Sequence, residues 1–233
     1  FGKFQALLAR FPGERLHETI PGFHDTRARY TKLLAALDAD AHNRAAAARK
    51  EIDWFRKRES YVDVIVDGLA TGEIPERITH NDTKLNNVML DDATMEGVCV
   101  IDLDTVMPGS ALYDFGDLVR TATNRGEEDT RDLGRIGMDM RMFRAITEGY
   151  LESIGTVLND REIGLLAFSG KLITFEIAMR FLTDFVEGDP YFKTHREGHN
   201  LDRCRCQMAM VESIEEQETE MEQVVKERYA ECV

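Results

Sequence analysis

Apolar side chains recur every three to four residues along most of the chain, which is the spacing of one buried face on an α-helix. Asp25 and Asn159 precede two such segments and are suitable N-caps. The long segment after Asn159 places Ile163, Leu166 and Ile173 on one face. The pattern predicts helices over 5–10, 27–37, 113–123, 138–154, 160–186 and 199–228, with a helix-rich stretch over 45–66.

One segment in the middle of the chain departs from this helical pattern. Residues 88–90 and the run from Val98 to Asp104, which is rich in β-branched residues, are short and mainly apolar, and an acidic turn segment separates them. Such runs are typical of strands, and a short connection pairs them as a hairpin. Asp102 and Asp104 alternate along the second strand, so we expect them to face opposite sides. The fold class predicted is mostly α with a small β-hairpin element.

The composition of the chain argues against some classes of binding partner but says little about the fold. A formal net charge of −14 argues against nucleic-acid binding, because phosphate backbones attract clustered Lys and Arg. No apolar run approaches the ~20 residues of a membrane span, so we expect no membrane partner. The four cysteines form no C-x-x-C pair and no disulfide framework. We therefore expect a cytoplasmic protein.

The candidate chemistry lies beside the predicted hairpin. His80 to Asn87 has the skeleton H-x-D-x-K-x-x-N, and Ile101-Asp102-Leu103-Asp104 follows at the end of the next strand. The loop Asp, the Asn five residues later and the metal-binding Asp beyond a hairpin have the order and spacing of the protein-kinase catalytic segments. Residues 77–104 therefore form the predicted catalytic loop and metal-binding hairpin.

Phosphoryl transfer requires these residue types. A carboxylate must orient the acceptor hydroxyl and accept its proton, and we assign this role to Asp82. Mg²⁺ prefers oxygen ligands, which Asn87 and Asp102 would supply. Lys84 is placed to neutralise charge on the transferred phosphate. The predicted catalytic residues are therefore Asp82 and Lys84, and the predicted metal ligands are Asn87 and Asp102.

Three further residues are predicted to support this site. His80 is expected to be a packed, hydrogen-bonded scaffold residue rather than a proton carrier. Asp114 and Asp117 lie at the start of a predicted helix, where acids are favoured by the helix dipole. We expect one of the two to be buried beneath the catalytic loop and to bind its backbone.

The chain resembles the aminoglycoside phosphotransferase and choline kinase-like family, and within it the N-acetylhexosamine 1-kinases. The resemblance covers nearly the whole chain. The segments that carry it are 20–26, Thr79-His80-Asn81-Asp82-Thr83-Lys84-Leu85-Asn86-Asn87-Val88, 100–109, Tyr113-Asp114-Phe115-Gly116-Asp117 and 191–203.

The resemblance implies ATP- and Mg²⁺-dependent phosphorylation of the anomeric hydroxyl of an N-acetylhexosamine. It places Arg180 and Tyr191 at the sugar, and Asp104 at the metal or the sugar. It also implies a protein-kinase-like C-terminal lobe over residues 1–233. The β-rich N-terminal lobe of such kinases, with its Gly-rich loop and strand Lys, has no counterpart in this sequence. We expect that lobe to be the missing partner, and the chain alone to transfer phosphate poorly or not at all.

Alternatives remain at this stage. The acceptor could be choline, an aminoglycoside or homoserine, although the sequence shows no concentrated aromatic cluster for a choline cage. A non-catalytic binding module derived from a kinase lobe is a second possibility. A sulfatase is disfavoured, because no C-x-P-x-R or S-x-P-x-R run is present.

Overall fold

The computed structural model describes residues 1–232, and most of them lie in helices, as predicted. The α-helices are α1 Gly2–Leu8, α2 Thr26–Ala39, α3 Arg49–Arg56, α4 Val64–Thr71, α5 Ala111–Ala122, α6 Met140–Ile154, α7 Asp160–Val186 and α8 His199–Cys232. Short 3-10 turns cover Ala45–Ala48, Glu59–Tyr61, Leu85–Asn87, Leu103–Thr105 and Leu133–Arg135.

The helix-rich stretch predicted over 45–66 is divided into four pieces. The helical path stops after α3, where Arg58 makes a bidentate contact with Glu215 of α8 at 2.8 and 2.7 Å. Tyr61 donates its hydroxyl to the same carboxylate at 2.7 Å. These contacts with a distant helix favour a break that local helix propensity does not indicate.

Helix α7 is the shared wall of two hydrophobic clusters. Its N-terminus has a capping box, in which the side chain of Asn159 accepts from the Glu162 N–H and Glu162 accepts from the Asn159 N–H. Leu166 and Ile173 belong to one cluster, and Phe175 and Met179 belong to the other. Both clusters therefore depend on the position of this one helix.

Helix α5 packs closely against α7 at two glycines. A Cβ on Gly116 would stand 2.4 Å from the carbonyl oxygen of Ser169, and a Cβ on Gly170 would stand 2.6 Å from Val119 Cγ1. Glycine at both positions lets the two helices approach. Because Asp114 lies one half-turn before Gly116, this packing also fixes the depth of Asp114.

Four short strands form two antiparallel pairs. The predicted hairpin is confirmed as β2 Val88–Leu90 and β3 Gly97–Val100. The sequence did not indicate the second pair, β1 Arg77–Thr79 with β4 Met107–Gly109. Pro108 pairs with Ile78 in this two-stranded sheet, where a residue without an N–H is tolerated.

The expected strand alternation of Asp102 and Asp104 is wrong. Strand β3 ends at Val100. Asp102 has φ 61°, in the left-handed region, and Leu103–Thr105 forms a 3-10 turn. The two aspartates therefore lie on a turn, and strand periodicity says nothing about their directions.

Two further predictions concern the chain as a whole. Over residues 1–232, no helix combines the length and apolar character needed to cross a membrane. The four cysteines are free thiols, and Cys204 and Cys206 are both buried. Burial raises the pKa of the Cys206 thiol to about 11.

Candidate active site

The catalytic loop, residues 80–87, connects β1 to β2 and is anchored from below by Asp114. The carboxylate of Asp114 accepts from the N–H of His80 at 2.9 Å and from the N–H of Asn81 at 2.7 Å. Its backbone carbonyl accepts from the Thr83 hydroxyl at 2.6 Å. Asp114 is fully buried, and burial raises its pKa although the two N–H donors act in the opposite direction. The Asp114 side chain thus binds two consecutive N–H groups of the loop backbone.

Asp82 projects from this anchored loop with one oxygen engaged. Asn87 donates its amide N–H to the carbonyl oxygen and to Oδ2 of Asp82, each at 2.8 Å. Lys84 donates to the same Oδ2 at 2.6 Å. These contacts leave Oδ1 as the oxygen that is open to a hydroxyl donor. The structure therefore brings Asp82, Lys84 and Asn87 together.

The ring of His80 has both nitrogens engaged within the loop. Its Nδ1 accepts from the Asp82 N–H at 3.3 Å, and its Nε2 donates to the Ile101 carbonyl at 3.0 Å. Edge contacts with Phe1 and Phe4 complete its surroundings. These contacts fit a scaffold residue, because no ring nitrogen is left to exchange a proton with a substrate.

Strand pairing brings Asp102 close to Asn87. The N–H of Ile101 donates to the Asn87 carbonyl at 3.0 Å, next to the paired residues Val88 and Val100. Asp102 is exposed, and its carboxylate makes no hydrogen bond or ion pair with residues 1–232. The Asn87 amide nitrogen is used by Asp82, which leaves the amide oxygen. One carboxylate and one amide oxygen are hard ligands that suit Mg²⁺.

No group of three or more His, Cys, Asp or Glu side chains suited to a metal occurs among the described residues. The donor set of Asn87 and Asp102 is smaller than such a group, as expected for a cation that keeps waters and phosphate oxygens as further ligands.

Two predicted residues lie apart from these contacts. Asp117 is buried but pairs with Arg120 at 2.8 Å rather than with the catalytic loop. Asp104 is exposed, and its backbone carbonyl accepts from the hydroxyl of Thr19 at 3.0 Å. Of the two acids on α5, Asp114 alone binds the loop backbone.

Arg180 and Tyr191 meet in a cavity of about 180 Å³, here called the arginine pocket. The guanidinium of Arg180 lies 5.6, 5.8 and 5.5 Å from the ring centres of Phe23, Tyr191 and Phe192. Burial and the nearby charge of Arg29 lower the pKa of Arg180. The other lining residues are Ile20, Lys32, Met179, Thr183, Asp184 and Glu187.

Asp184 fixes the segment that carries Tyr191. Its carboxylate accepts from the N–H of Tyr191 at 2.8 Å, from the N–H of Phe192 at 3.0 Å and from the amide of Asn200 at 2.8 Å. Sequence reasoning missed this residue. The only available signal was its position one helical turn after Arg180, which does not reveal contacts with a later loop.

A second cavity, of about 250 Å³, borders the catalytic loop at Asn81. Ile20 and Phe23 line both cavities, so the two share a wall. Arg120 lies within electrostatic range of both Asp82 and Arg180. The candidate base and the arginine pocket therefore belong to the same region of the molecule.

The family model for the APH phosphotransferase enzyme family matches residues 1–143, well over half of the chain. The chain belongs to this phosphotransferase family. The match contains the whole catalytic loop, Asp102 and Asp114. Membership implies a kinase-like fold and a transferase activity. Arg180 and Tyr191 lie beyond the matched part of this phosphotransferase, so the family assignment does not address the acceptor.

Proposed function

We propose that this phosphotransferase transfers the γ-phosphate of ATP to the anomeric hydroxyl of an N-acetylhexosamine. The observation that carries the proposal is the state of Asp82. Its Oδ2 is held by Asn87 and Lys84, its Oδ1 is open, and its backbone rests on the buried Asp114. A carboxylate held in this way is suited to orient a hydroxyl and accept its proton.

The loop residues have distinct roles in the proposed reaction. Asp82 accepts the proton of the acceptor hydroxyl at Oδ1. Lys84 is already within 2.6 Å of Asp82, from where its ammonium can stabilise negative charge on the transferred phosphate. Asn87 orients Asp82 through its amide nitrogen. Asn87 Oδ1 and the Asp102 carboxylate would hold Mg²⁺, which when bound neutralises charge on the phosphate oxygens.

The acceptor is assigned to the arginine pocket. Arg180 offers several N–H donors to sugar oxygens, and Tyr191 offers an apolar ring face with a hydroxyl. Tyr191 is largely exposed, so its ring is accessible to a ligand. Asp104 is exposed beside the hairpin. It is assigned as a further ligand of the sugar or of the metal.

The charge of this pocket favours a sugar over the cationic acceptors. Its walls include the cations Arg29, Lys32 and Arg180 and the carboxylates Asp184 and Glu187. Both carboxylates are already engaged, Asp184 by the N–H groups of Tyr191 and Phe192 and Glu187 by Lys32 at 3.0 Å. The aromatic rings that would surround a quaternary ammonium already surround the guanidinium of Arg180. Choline or a polycationic aminoglycoside would therefore meet like charge, which disfavours binding.

The hairpin offers a surface for the nucleotide and a β-rich lobe. More than half of the exposed large apolar side chains among residues 1–232 lie between 85 and 103. Apolar patches of this kind usually mark a surface that another group covers. We propose that ATP and an N-terminal lobe of the same protein cover it, and that transfer by residues 1–233 alone is weak.

The decisive experiment substitutes the proposed base in the full-length protein. Asp82→Asn should lower transfer from radiolabelled ATP to N-acetylglucosamine or N-acetylgalactosamine by about 10²–10⁴-fold, because a general base is lost. Binding of the sugar should remain. Asp92→Asn, an exposed aspartate of the same hairpin, is the matched control. Normal transfer by Asp82→Asn would contradict the assignment of the base.

A panel of acceptors tests the substrate class independently. N-acetylhexosamines should be phosphorylated in preference to choline, homoserine and aminoglycosides, and the product should be the acid-labile 1-phosphate. Preferred phosphorylation of a cationic acceptor would contradict the argument from pocket charge. It would leave the assignment of Asp82 intact.

The metal site can be probed without catalysis. Mn²⁺, used as a paramagnetic substitute for Mg²⁺, should broaden the NMR signals of residues 82–87 and 100–103 in the purified chain. Asp102→Asn should weaken this effect, whereas Asp92→Asn should not. Equal broadening in the wild type and in Asp102→Asn would place the cation elsewhere.

A further inference from the structure

His24 lies immediately before α2 and is buried against the back of the catalytic loop. Its ring centre is 4.8 Å from that of Tyr113 and 4.7 Å from that of Phe23. Only 7% of the residue is exposed. Nothing in the reaction described above uses this residue, although it contacts the loop one position before Asp82.

Both ring nitrogens of His24 face hydrogen-bond acceptors. Nδ1 lies 2.9 Å from Oε1 of Glu176, and Nε2 lies 3.3 Å from the backbone carbonyl oxygen of Asn81. Neither a carboxylate nor a carbonyl can donate a hydrogen. With Glu176 ionised, both contacts are hydrogen bonds at the same time only if both ring nitrogens carry a proton, so the geometry favours an imidazolium.

Glu176 is the counter-charge of this imidazolium. It is fully buried on α7, and its second oxygen accepts from the Thr26 hydroxyl at 3.2 Å. Burial alone would raise the pKa of Glu176, but the charge and the hydrogen bond of His24, together with the charges of Arg180 and Arg29, outweigh it and the pKa is lowered. The other titratable or charged groups around this pair are Asp25, the N-cap of α2, Arg29 of α2, Tyr113 of α5 and Arg180 of α7.

Asn81 is a turn residue whose polar groups are all engaged. It has φ 65°, in the left-handed region, which asparagine adopts more readily than most residues other than glycine when its side chain is hydrogen-bonded locally. Its N–H donates to Asp114, its amide donates to the Thr105 carbonyl at 2.9 Å, and its carbonyl accepts from His24. The contact with His24 is therefore one of the bonds that maintain the turn leading into Asp82.

We propose that His24, as an imidazolium paired with Glu176, is a positioning residue that holds the Asn81 carbonyl and thereby the orientation of Asp82. Its role in transfer rests on the proposed function of Asp82. Because Glu176 also lies within electrostatic range of Arg180, the same ion pair connects the arginine pocket with the catalytic loop.

The protonation of His24 is tested by NMR of the ¹⁵N-labelled chain. The signal can be assigned by its absence in His24→Phe, since the protein has only six histidines. We expect both ring nitrogens to be protonated at neutral pH in the wild type, and one in Glu176→Gln, which keeps the side-chain shape but removes the charge. A singly protonated His24 in the wild type would overturn the proposal.

The positioning of the loop is tested by amide hydrogen exchange at His80 and Asn81. Exchange in Glu176→Gln should be about tenfold faster than in the wild type, because the carbonyl of Asn81 loses a donor. Thr26→Val is the matched control. It removes the hydrogen bond to the other oxygen of Glu176 and a longer contact, at 3.5 Å, with the His24 backbone carbonyl, but it leaves both ring contacts of His24. Exchange should therefore rise less than about twofold.

His24→Phe keeps a stacked ring, removes both donors and should reproduce the faster exchange. If Glu176→Gln does not fold, amide exchange in His24→Phe tests the positioning of the loop. Wild-type exchange in either folded variant, or equal acceleration in Thr26→Val, would overturn the proposal. Neither readout requires phosphotransfer. A doubly protonated, loop-bound His24 in a protein that phosphorylates no acceptor would contradict the proposed function alone.

Discussion

At the scale of single residues, Asp114 and Asp117 differ in their partners although both are buried on α5. Asp114 faces backbone N–H groups of the catalytic loop, and Asp117 faces the guanidinium of Arg120. Sequence alone could place one acid beneath the loop but could not choose between them, because the helix rotation that decides it is set by the contact of Gly116 with α7.

Replacing Asp114 should therefore destabilise the fold. In Asp114→Asn an N–H₂ group replaces one acceptor oxygen, and a buried N–H of the loop loses its partner. We expect the free energy of unfolding to fall by about 1–3 kcal/mol, measured by chemical denaturation. Asp38→Asn, at an exposed position of α2, should change it by less than about 0.5 kcal/mol. Equal stability of the two variants would contradict the anchoring contact.

Asp139 gives a prediction about pH. It caps α6 by accepting from the Arg141 N–H at 2.9 Å, and the Arg141 guanidinium and the N–H lower its pKa from 3.8 to about 2. A depressed pKa means that its stabilising contribution is complete above pH 3.8 and is lost as pH falls through about 2. By carboxyl NMR, Asp139 should remain mostly ionised at about pH 3, and Arg141→Gln should raise its midpoint. An unshifted midpoint in the wild type would contradict the capping contact.

At the scale of elements, the contact between α5 and α7 can be tested with matched glycines. Gly116→Ala should lower the free energy of unfolding by about 1–3 kcal/mol, because its Cβ meets the Ser169 carbonyl. Gly164→Ala lies on α7, where a Cβ meets nothing within 4 Å, and should raise it by up to about 1 kcal/mol. Thermal and chemical denaturation would measure both. Similar effects of the two substitutions would contradict the close packing.

The sequence predicted those elements that depend on local signals. Helix α7 was predicted to within one residue from the capping box at Asn159 and the periodicity that follows it. The hairpin was predicted from the two apolar runs. The sequence could not predict β1 with β4, since three-residue strands have no periodicity and their pairing is decided by distant contacts. The residues of the candidate site also fall into two groups, those that local sequence predicts and those that it does not. The order of Asp82, Asn87 and Asp102 is local, whereas the contacts of Asp184, Glu176 and His24 arise only from tertiary packing.

At the scale of the whole molecule, apolar surface is concentrated on the hairpin. Met89 is 54% exposed and Val98 is 67% exposed, although most large apolar residues elsewhere are buried. In a chain of net charge −14, which favours solubility, this patch is the clearest candidate for a covered surface.

A double substitution, Met89→Gln with Val98→Thr, should reduce the binding of an apolar fluorescent dye to the purified chain. Stability should change by less than about 0.5 kcal/mol for each exposed site. Met142→Gln, at an isolated exposed position of α6, serves as the control and should leave dye binding nearly unchanged. Unaltered fluorescence in the double variant would show that the dye does not bind at the hairpin.

Helix α7 restricts where this protein can change in length. Its first turn reaches β1 through the ion pair of Glu162 and Arg77 at 2.7 Å, and its last turns carry Arg180 and Asp184. One residue inserted between these ends would rotate everything beyond it by about 100°. Arg180 would then leave its aromatic neighbours while Glu162 stayed in place. Insertions and deletions should therefore be tolerated only outside this helix.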